Sequence, residues 1–459
     1  MALPNFLTVF VVRMRMALDG LAALYQVPAA IFSAKGSSPK EKGSGLKENA
    51  AAALKEKAAA AFQEPLFQRR GLRFFRAFLP NLRVPCKFFP GYPNIGTALV
   101  TRHDDVMEVL DRNADFEVVY KPRMEAITGG KNFFLGMQDT ALYARDVSNM
   151  RLAMRRDDVA TIVEPRARRL AEKLVAEKAG SIDVPPELSL PVPTAIVTDY
   201  FGVTGAPDSD LMDWATLMFG YLFTDIRGDP AVECKALEAA AACRSVIDAA
   251  IAKRKASGEA KDDVLGRCLV MQTAGLPGME DIDIRNNLIG LVIGAIPTIS
   301  QAAVQALDQL LDRPEELASA EQAALDGNDA LFAAHVFEAL RFNPINPFIF
   351  RRAARDTKIA AGHFRARKIP KDTMVLAANL SAMFDPLKIE APESFRTDRP
   401  WGDYMLWGYG LHGCFGAYIN RAVLPAILKP LVIKPGLRRT GRIDRGGTSF
   451  PKHFVVVWE

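Results

Sequence analysis

The stretch Trp407-Gly408-Tyr409-Gly410-Leu411-His412-Gly413-Cys414-Phe415-Gly416 decides how this chain of 459 residues is read. It sets one cysteine in a glycine-rich loop, and an apolar helical pattern from Ala417 to Leu428 follows at once. Free N–H groups and the dipole at a helix N-terminus favour thiolate over thiol, which makes Cys414 a candidate metal ligand. The glycines at 408, 410, 413 and 416 are expected to let the backbone turn tightly and approach a flat cofactor closely.

Outward from that loop the composition is that of a large folded body, with 49% hydrophobic and 24% charged residues. No Ser/Gly-rich or charge-block linker follows residue 65, so one continuous domain is expected over 64–459, behind an N-terminal appendage over 1–63. The charge balance is +5, from 58 basic against 53 acidic residues, with the two signs interspersed. Nucleic-acid binding is therefore not expected, because a phosphate-tracking surface needs clustered Lys and Arg. The cysteines Cys86, Cys234, Cys243, Cys268 and Cys414 are odd in number and contain no CxxC pair, and the five histidines form no HExxH motif. Those spacings argue against a disulfide framework or a zinc ribbon and point to a reducing, cytoplasmic compartment.

At the N-terminus the apolar run Phe6 to Val12 is interrupted by Arg13 and Arg15, far short of the ~20 residues that span a bilayer. A secretory signal would carry its charges before the apolar stretch, and none is assigned. The segment through Phe32 reads as an amphipathic helix packing on its own domain, with peripheral membrane contact as the alternative. Ser33 to Lys57 reads as a linker followed by an alanine-rich helix. Asn286 to Leu307 is uncharged and long, yet Gly290, Gly294, Pro297, Ser300, Gln301 and Gln305 lower its hydrophobicity, so a buried helix is expected.

Apolar spacing predicts helices over 158–179, 208–223, 232–257, 261–273, 281–311 and 329–342. Short strands are predicted over 97–101, 358–360, 373–377 and 453–458. The fold class is mainly α with small peripheral β-sheets.

Here the loop resembles the haem-binding signature of the cytochrome P450 family: an aromatic (Trp407), two residues, Gly410, one residue, His412, one residue, Cys414, one residue, Gly416. The resemblance implies the cytochrome P450 fold and haem b (iron protoporphyrin IX), with Cys414 as axial ligand of the iron and Trp407, Gly408, Gly410 and Gly416 framing it. Haem carboxylates need cationic partners when buried, and His412 and Arg351 match propionate-binding positions of the family. A third contact from an early helix matches less well, with Tyr143 where the family commonly has His and Arg145 as the alternative donor. Arg151, Arg155 and Arg156 read as a solvated basic face. In Glu338-Ala339-Leu340-Arg341 the i, i+3 spacing lets carboxylate and guanidinium pair, and the resemblance implies a buried structural network completed by Arg399.

One departure stands out. Where the family usually has Ala/Gly-Gly-x-Asp/Glu-Thr-Thr/Ser, this chain reads Gly294-Ala295-Ile296-Pro297-Thr298-Ile299. The alcohol is kept as Thr298, and Pro297 replaces the acid. Proline lacks the N–H that Ile293 would bond, so a free carbonyl and a kink are expected there. The catalytic set is read as Thr298, Ala295 and Pro297. The primary reading is a monooxygenase that inserts one atom of dioxygen into a hydrophobic, fatty-acid-like substrate, with a ferredoxin-type or reductase electron donor docking on the cysteine side. The alternatives are a peroxide-dependent peroxygenase or fatty-acid hydroperoxide isomerase needing no redox partner, and a haem sensor without turnover. The run Pro344-Ile345-Asn346-Pro347-Phe348-Ile349-Phe350, where the family lines its pocket, favours a hydrophobic small molecule.

Overall fold

The computed structural model describes residues 65–259 and 261–459. The expected N-terminal amphipathic helix, linker, alanine-rich helix and the boundary near residue 63 lie outside the described residues. From the first described residue the chain forms α1 (Pro65–Phe78), β1 (Asn81–Val84), β2 (Gly96–Val100), α2 (His103–Asp111), β3 (Phe116–Glu117), α3 (Lys121–Thr128) and α4 (Ala141–Ala153). It continues through α5 (Glu164–Ala176), β4 (Ser181–Asp183), α6 (Pro191–Asp199), α7 (Asp208–Phe219), α8 (Pro230–Ser257), α9 (Val264–Thr273), α10 (Asp281–Leu311), α11 (Pro314–Leu325) and α12 (Asp329–Phe342). The C-terminal part holds β5 (Ile349–Ala353), β6 (Thr357–Ile359), β7 (Arg367–Ile369), β8 (Thr373–Ala377), α13 (Asn379–Ala382), α14 (Ala417–Val432), β9 (Arg438–Arg439) and β10 (Val455–Val457). Helices dominate and the sheets are small, as the sequence predicts.

The axis of the helical part is α10. By length and composition it could cross a membrane, but 83% of its most apolar window is buried inside the fold. Two of its polar side chains have partners there: Ser189 and Ser300 share a hydrogen bond of 2.8 Å, and Asn286 donates to the Lys131 carbonyl at 3.0 Å. It is a core helix, and it runs unbroken through Pro297.

The largest sheet has the order β1-β2-β8-β5-β3, with β2 parallel to β8 and β5 antiparallel to it. Every residue of β8 is buried, which is why that strand is an unbroken run without polar alternation. β5 pairs Arg351 with Val375. Strand alternation sends Ile349 and Arg351 to one side and Phe350 to the other, where its ring meets Phe89 at 5.3 Å.

Two predicted helices are shorter than their apolar pattern. The 158–179 pattern resolves into a π-turn, Val159–Val163, ahead of α5, and the 208–223 pattern into α7 and a π-turn, Gly220–Thr224. An extra residue per turn preserves the apolar stripe while changing the backbone, so spacing alone does not reveal it.

The acid of the Glu338 network is fully buried. Its carboxylate accepts two bonds from Arg341, at 2.7 and 2.9 Å, one from the Arg396 backbone N–H at 3.0 Å and one from the Tyr404 hydroxyl at 3.0 Å. Arg399 Nε stands 3.2 Å from the same carboxylate. Five donors on one acid fasten the segment around 396–404 to α12, and that segment runs directly into the Cys414 loop.

Candidate active site

The Cys414 loop is shaped by its own backbone. Gly408 and Gly410 adopt left-handed conformations (φ 77° and 69°) that favour glycine. A Cβ on Gly410 would also come within 3.2 Å of the Leu110 carbonyl. Gly413 and Gly416 have ordinary negative φ, so only two of the four glycines supply the expected turn. The Cys414 N–H donates to the Trp407 carbonyl at 2.8 Å, closing the loop just before α14. From outside, the Arg151 guanidinium lies over the Phe415 ring at 3.8 Å and donates to the Phe415 carbonyl at 2.8 Å. Tyr143 donates to the Leu411 carbonyl at 2.7 Å, with its ring 5.0 Å from that of His412.

The loop floors a cavity of about 260 Å³ bounded by α10, β5 and the turns around Tyr120 and Phe223. Along α10, Gly290, Ile293, Gly294 and Thr298 line it, a helical stripe at i, i+3, i+4 and i+8. Much of the remaining wall is apolar, including Val118, Phe133, Phe219, Leu222, Phe223, Ile345 and Leu406. Polar groups are few: Tyr120, Asn346, Arg351, Asn379, His412 and Asn420 beside Thr298. Among the described residues no carboxylate lines the cavity. The Thr298 hydroxyl donates to the Gly294 carbonyl of its own helix.

Three features fit a flat, anionic, iron-bearing group. Cys414 is exposed and is among the residues that line the cavity. Burial pushes its thiol above the ordinary value, and hydrogen bonds from the Gly416 and Ala417 backbones with the Arg151 charge pull the other way. Binding a metal removes the thiol proton. Arg351 is 3% exposed, it donates to the Phe350 carbonyl at 2.9 Å, and its Nε has no partner among the described residues. Desolvation depresses its pKa. A buried guanidinium without a carboxylate is costly, and an incoming anion relieves that cost. Beside Gly294 there is open space, since a Cβ there would meet nothing within 4 Å.

Some candidates stand elsewhere than the sequence suggests. Arg145 does not reach the cavity; it pairs with Asp146 at 2.7 Å and lies against Gly278, because the turn of α4 points it toward the loop before α10. Pro297 is buried and Ala295 half-buried, and neither is among the residues lining the cavity. His412 does line it, but burial first and then the Arg351 charge lower its pKa to about 4. In the protein alone it is a neutral hydrogen-bond donor and not a cation. Arg151 is no solvated face, since it braces the loop. Tyr120, Leu222 and Phe223 had no local sequence signal, because they come from turns that only tertiary packing brings together.

Fold, sulfur-bearing loop and cation-lined cavity together define a haem-thiolate oxidoreductase. Residues 92–429 match the family description Cytochrome P450, and the chain belongs to that family. It is an oxidoreductase of the monooxygenase kind whose cofactor is haem b, and its family acts on small molecules with electron donors such as ferredoxins or reductases. It is similar to erythromycin C-12 hydroxylase of Saccharopolyspora erythraea, 24% identical over 284 residues, 61% of this chain and 68% of that one. It is also similar to abscisic acid 8'-hydroxylase 3 of Oryza sativa, 28% identical over 251 residues, 49% of each. Crystalline CYP109E1 from Bacillus megaterium, in complex with testosterone, has the same fold: TM-score 0.71 at 19% identity, over 86% of this chain and 98% of that one.

Proposed function

We propose that Cys414 is the axial ligand of the haem iron, that Arg351 and His412 bind the propionates, and that the cavity admits a hydrophobic small molecule for oxygen insertion. The observation that carries this reading is one cavity lined by both an exposed cysteine and a buried guanidinium with no acid partner among the described residues. Haem, when bound, would supply the redox-active iron needed for oxygen chemistry. The chain does the rest. The Gly416 and Ala417 N–H groups hold the sulfur, and Arg351 supplies a positive charge and His412 a ring N–H. The apolar wall desolvates the substrate and excludes bulk water. Thr298, whose own proton is engaged by the Gly294 carbonyl, is left with lone pairs that accept a hydrogen bond from water or substrate.

A second recess of about 390 Å³ against the same loop is lined by Arg151, Arg156, Trp401, Trp407, Tyr418 and Arg421 among others. The guanidinium of Arg421 lies over Trp401 at 3.8 Å. This basic, aromatic face suits an acidic electron donor of the ferredoxin or reductase type.

One observation favours a second reading for the oxygen source. Among the described residues no carboxylate stands on the cavity wall to deliver protons there. A peroxide or fatty-acid hydroperoxide, which already contains the O–O bond, would not need one. The test supplies purified holoprotein first with reduced ferredoxin and dioxygen, then anaerobically with an unsaturated fatty-acid hydroperoxide. Product only in the first arm supports monooxygenation; product in the second without electrons supports the peroxide reading. A Cys414→Ser variant that kept the red-shifted carbon monoxide spectrum of a thiolate-bound haem would remove the ligand assignment.

A further inference from the structure

Three segments meet at one side chain outside the cavity wall, Arg123 on α3. It is 7% exposed. Its Nη1 donates to the Tyr221 carbonyl, to the Asp225 carbonyl at 2.8 Å and toward the Tyr92 hydroxyl at 3.4 Å. Its Nη2 reaches the Gly91 carbonyl at 3.1 Å and the Asp225 carboxylate at 3.4 Å. The same guanidinium lies over the rings of Tyr92 and Tyr221 at 4.5 and 4.9 Å.

The join is tight from every side. The Gly91 N–H donates to the Ile226 carbonyl at 3.0 Å, and the Tyr92 hydroxyl donates to the Leu222 carbonyl at 2.7 Å. A Cβ on Gly91 would stand 2.6 Å from Arg123 Nη2 and 2.7 Å from the Gly228 nitrogen. Two of the segments also build the cavity. Tyr120 immediately precedes α3, and Leu222 and Phe223 belong to the π-turn that Arg123 and Tyr92 hold by its carbonyls. The rings of Tyr120 and Phe223 meet edge to face at 4.7 Å.

We infer that Arg123 is a positioning residue: by clamping α3 to the 220–228 turn it fixes how far apart Tyr120 and Phe223 can stand, and so sets the largest molecule the cavity admits. The clamp acts mainly through backbone carbonyls, so a polar knot behind Tyr120, Leu222 and Phe223 holds their spacing. A buried cation with one carboxylate and several carbonyl acceptors has a single good geometry, whereas the apolar contacts it backs tolerate sliding. The inference rests on the cavity being the substrate chamber of the haem enzyme.

The experiment compares the ferric holoprotein with Arg123→Gln and Asp225→Asn, using imidazole and a bulky aryl imidazole as probes of the iron. Association rates are followed by stopped-flow absorbance, and amide hydrogen exchange is measured on the full chain. In Arg123→Gln the bulky probe is expected to bind about tenfold faster and imidazole less than about twofold faster, because only the larger ligand waits on opening. Exchange should rise over 118–128 and 219–228 and stay unchanged in α10. Asp225→Asn, which keeps the guanidinium, should shift both readouts the same way by less, and it carries the test if Arg123→Gln does not fold. Equal acceleration of both probes, or exchange rising across the whole chain, overturns the inference and leaves Arg123 as a general stabiliser. Were Cys414 not the iron ligand, the unaltered protein would itself lack the thiolate spectrum, while the exchange measurement would still read the clamp.

Discussion

Replacing Glu338 by Gln removes the one charge that five donors address while leaving the shape of the side chain almost unchanged. Arg341 and Glu338 are both 0% exposed and Arg399 is 7% exposed, so the two guanidinium groups would remain buried without their carboxylate. Breaking a buried pair in this way costs about 3–5 kcal/mol, whereas an exposed i, i+3 pair on a helix contributes only about 0.2–0.5 kcal/mol. The two readings of the same Glu-x-x-Arg spacing therefore differ roughly tenfold, by those figures, and the structure chooses the larger. Urea unfolding followed by tryptophan fluorescence measures the difference through the midpoint at constant slope. The acid limb adds a second readout. Burial by itself would raise the Glu338 pKa, but the bond and charge of Arg341 and the charge of Arg399 outweigh it and hold the carboxyl below the ordinary glutamate value. A carboxyl depressed in the folded state stabilises fully above its unfolded pKa and loses that contribution as pH falls through the folded value. The gap between unaltered protein and Glu338→Gln should thus be constant above about pH 5 and narrow below it. A gap smaller than about 1 kcal/mol at neutral pH would refute the reasoning.

Other substitutions separate neighbouring roles. Arg351→Ala should weaken haem retention about tenfold or more while Arg145→Ala leaves it unchanged, read by transfer of haem to an apo-globin acceptor. Arg156→Glu and Arg421→Glu should slow electron delivery from a reduced ferredoxin about tenfold at low salt and flatten its salt dependence, without altering reduction by dithionite. Pro297→Ala restores an N–H to α10 facing the Ile293 carbonyl, and a gain of about 1 kcal/mol in urea is expected; a loss would mean that the proline geometry is required.

The sequence made the Cys414 loop, the long core helix and the Glu338 network legible, because each depends on local spacing: a sulfur before a helix, an uncharged stretch punctuated by small and polar residues, and two charges three positions apart. Arg351 came only from the resemblance to the family, since no strand was predicted over 349–353 to fix its side. What escaped depends on rotation and assembly. The sequence carried Arg145 to the haem and left Arg151 in solvent, and the turn of α4 reverses both, with Arg145 against Gly278 and Arg151 over Phe415. Pro297 marks a real departure in composition, but the residues that line the cavity from α10 are its glycines, Ile293 and Thr298. The clamp at Arg123 joins residues more than a hundred positions apart through backbone carbonyls, and main-chain acceptors leave no trace in residue type.

Trp407, Gly408, Tyr409 and Cys414 border both the substrate cavity and the basic recess. On the reading proposed above, one short stretch of backbone would serve organic traffic in the first and electron traffic in the second. Residues that border only one of the two, such as Phe223 or Arg421, could then be exchanged without touching the lining of the other.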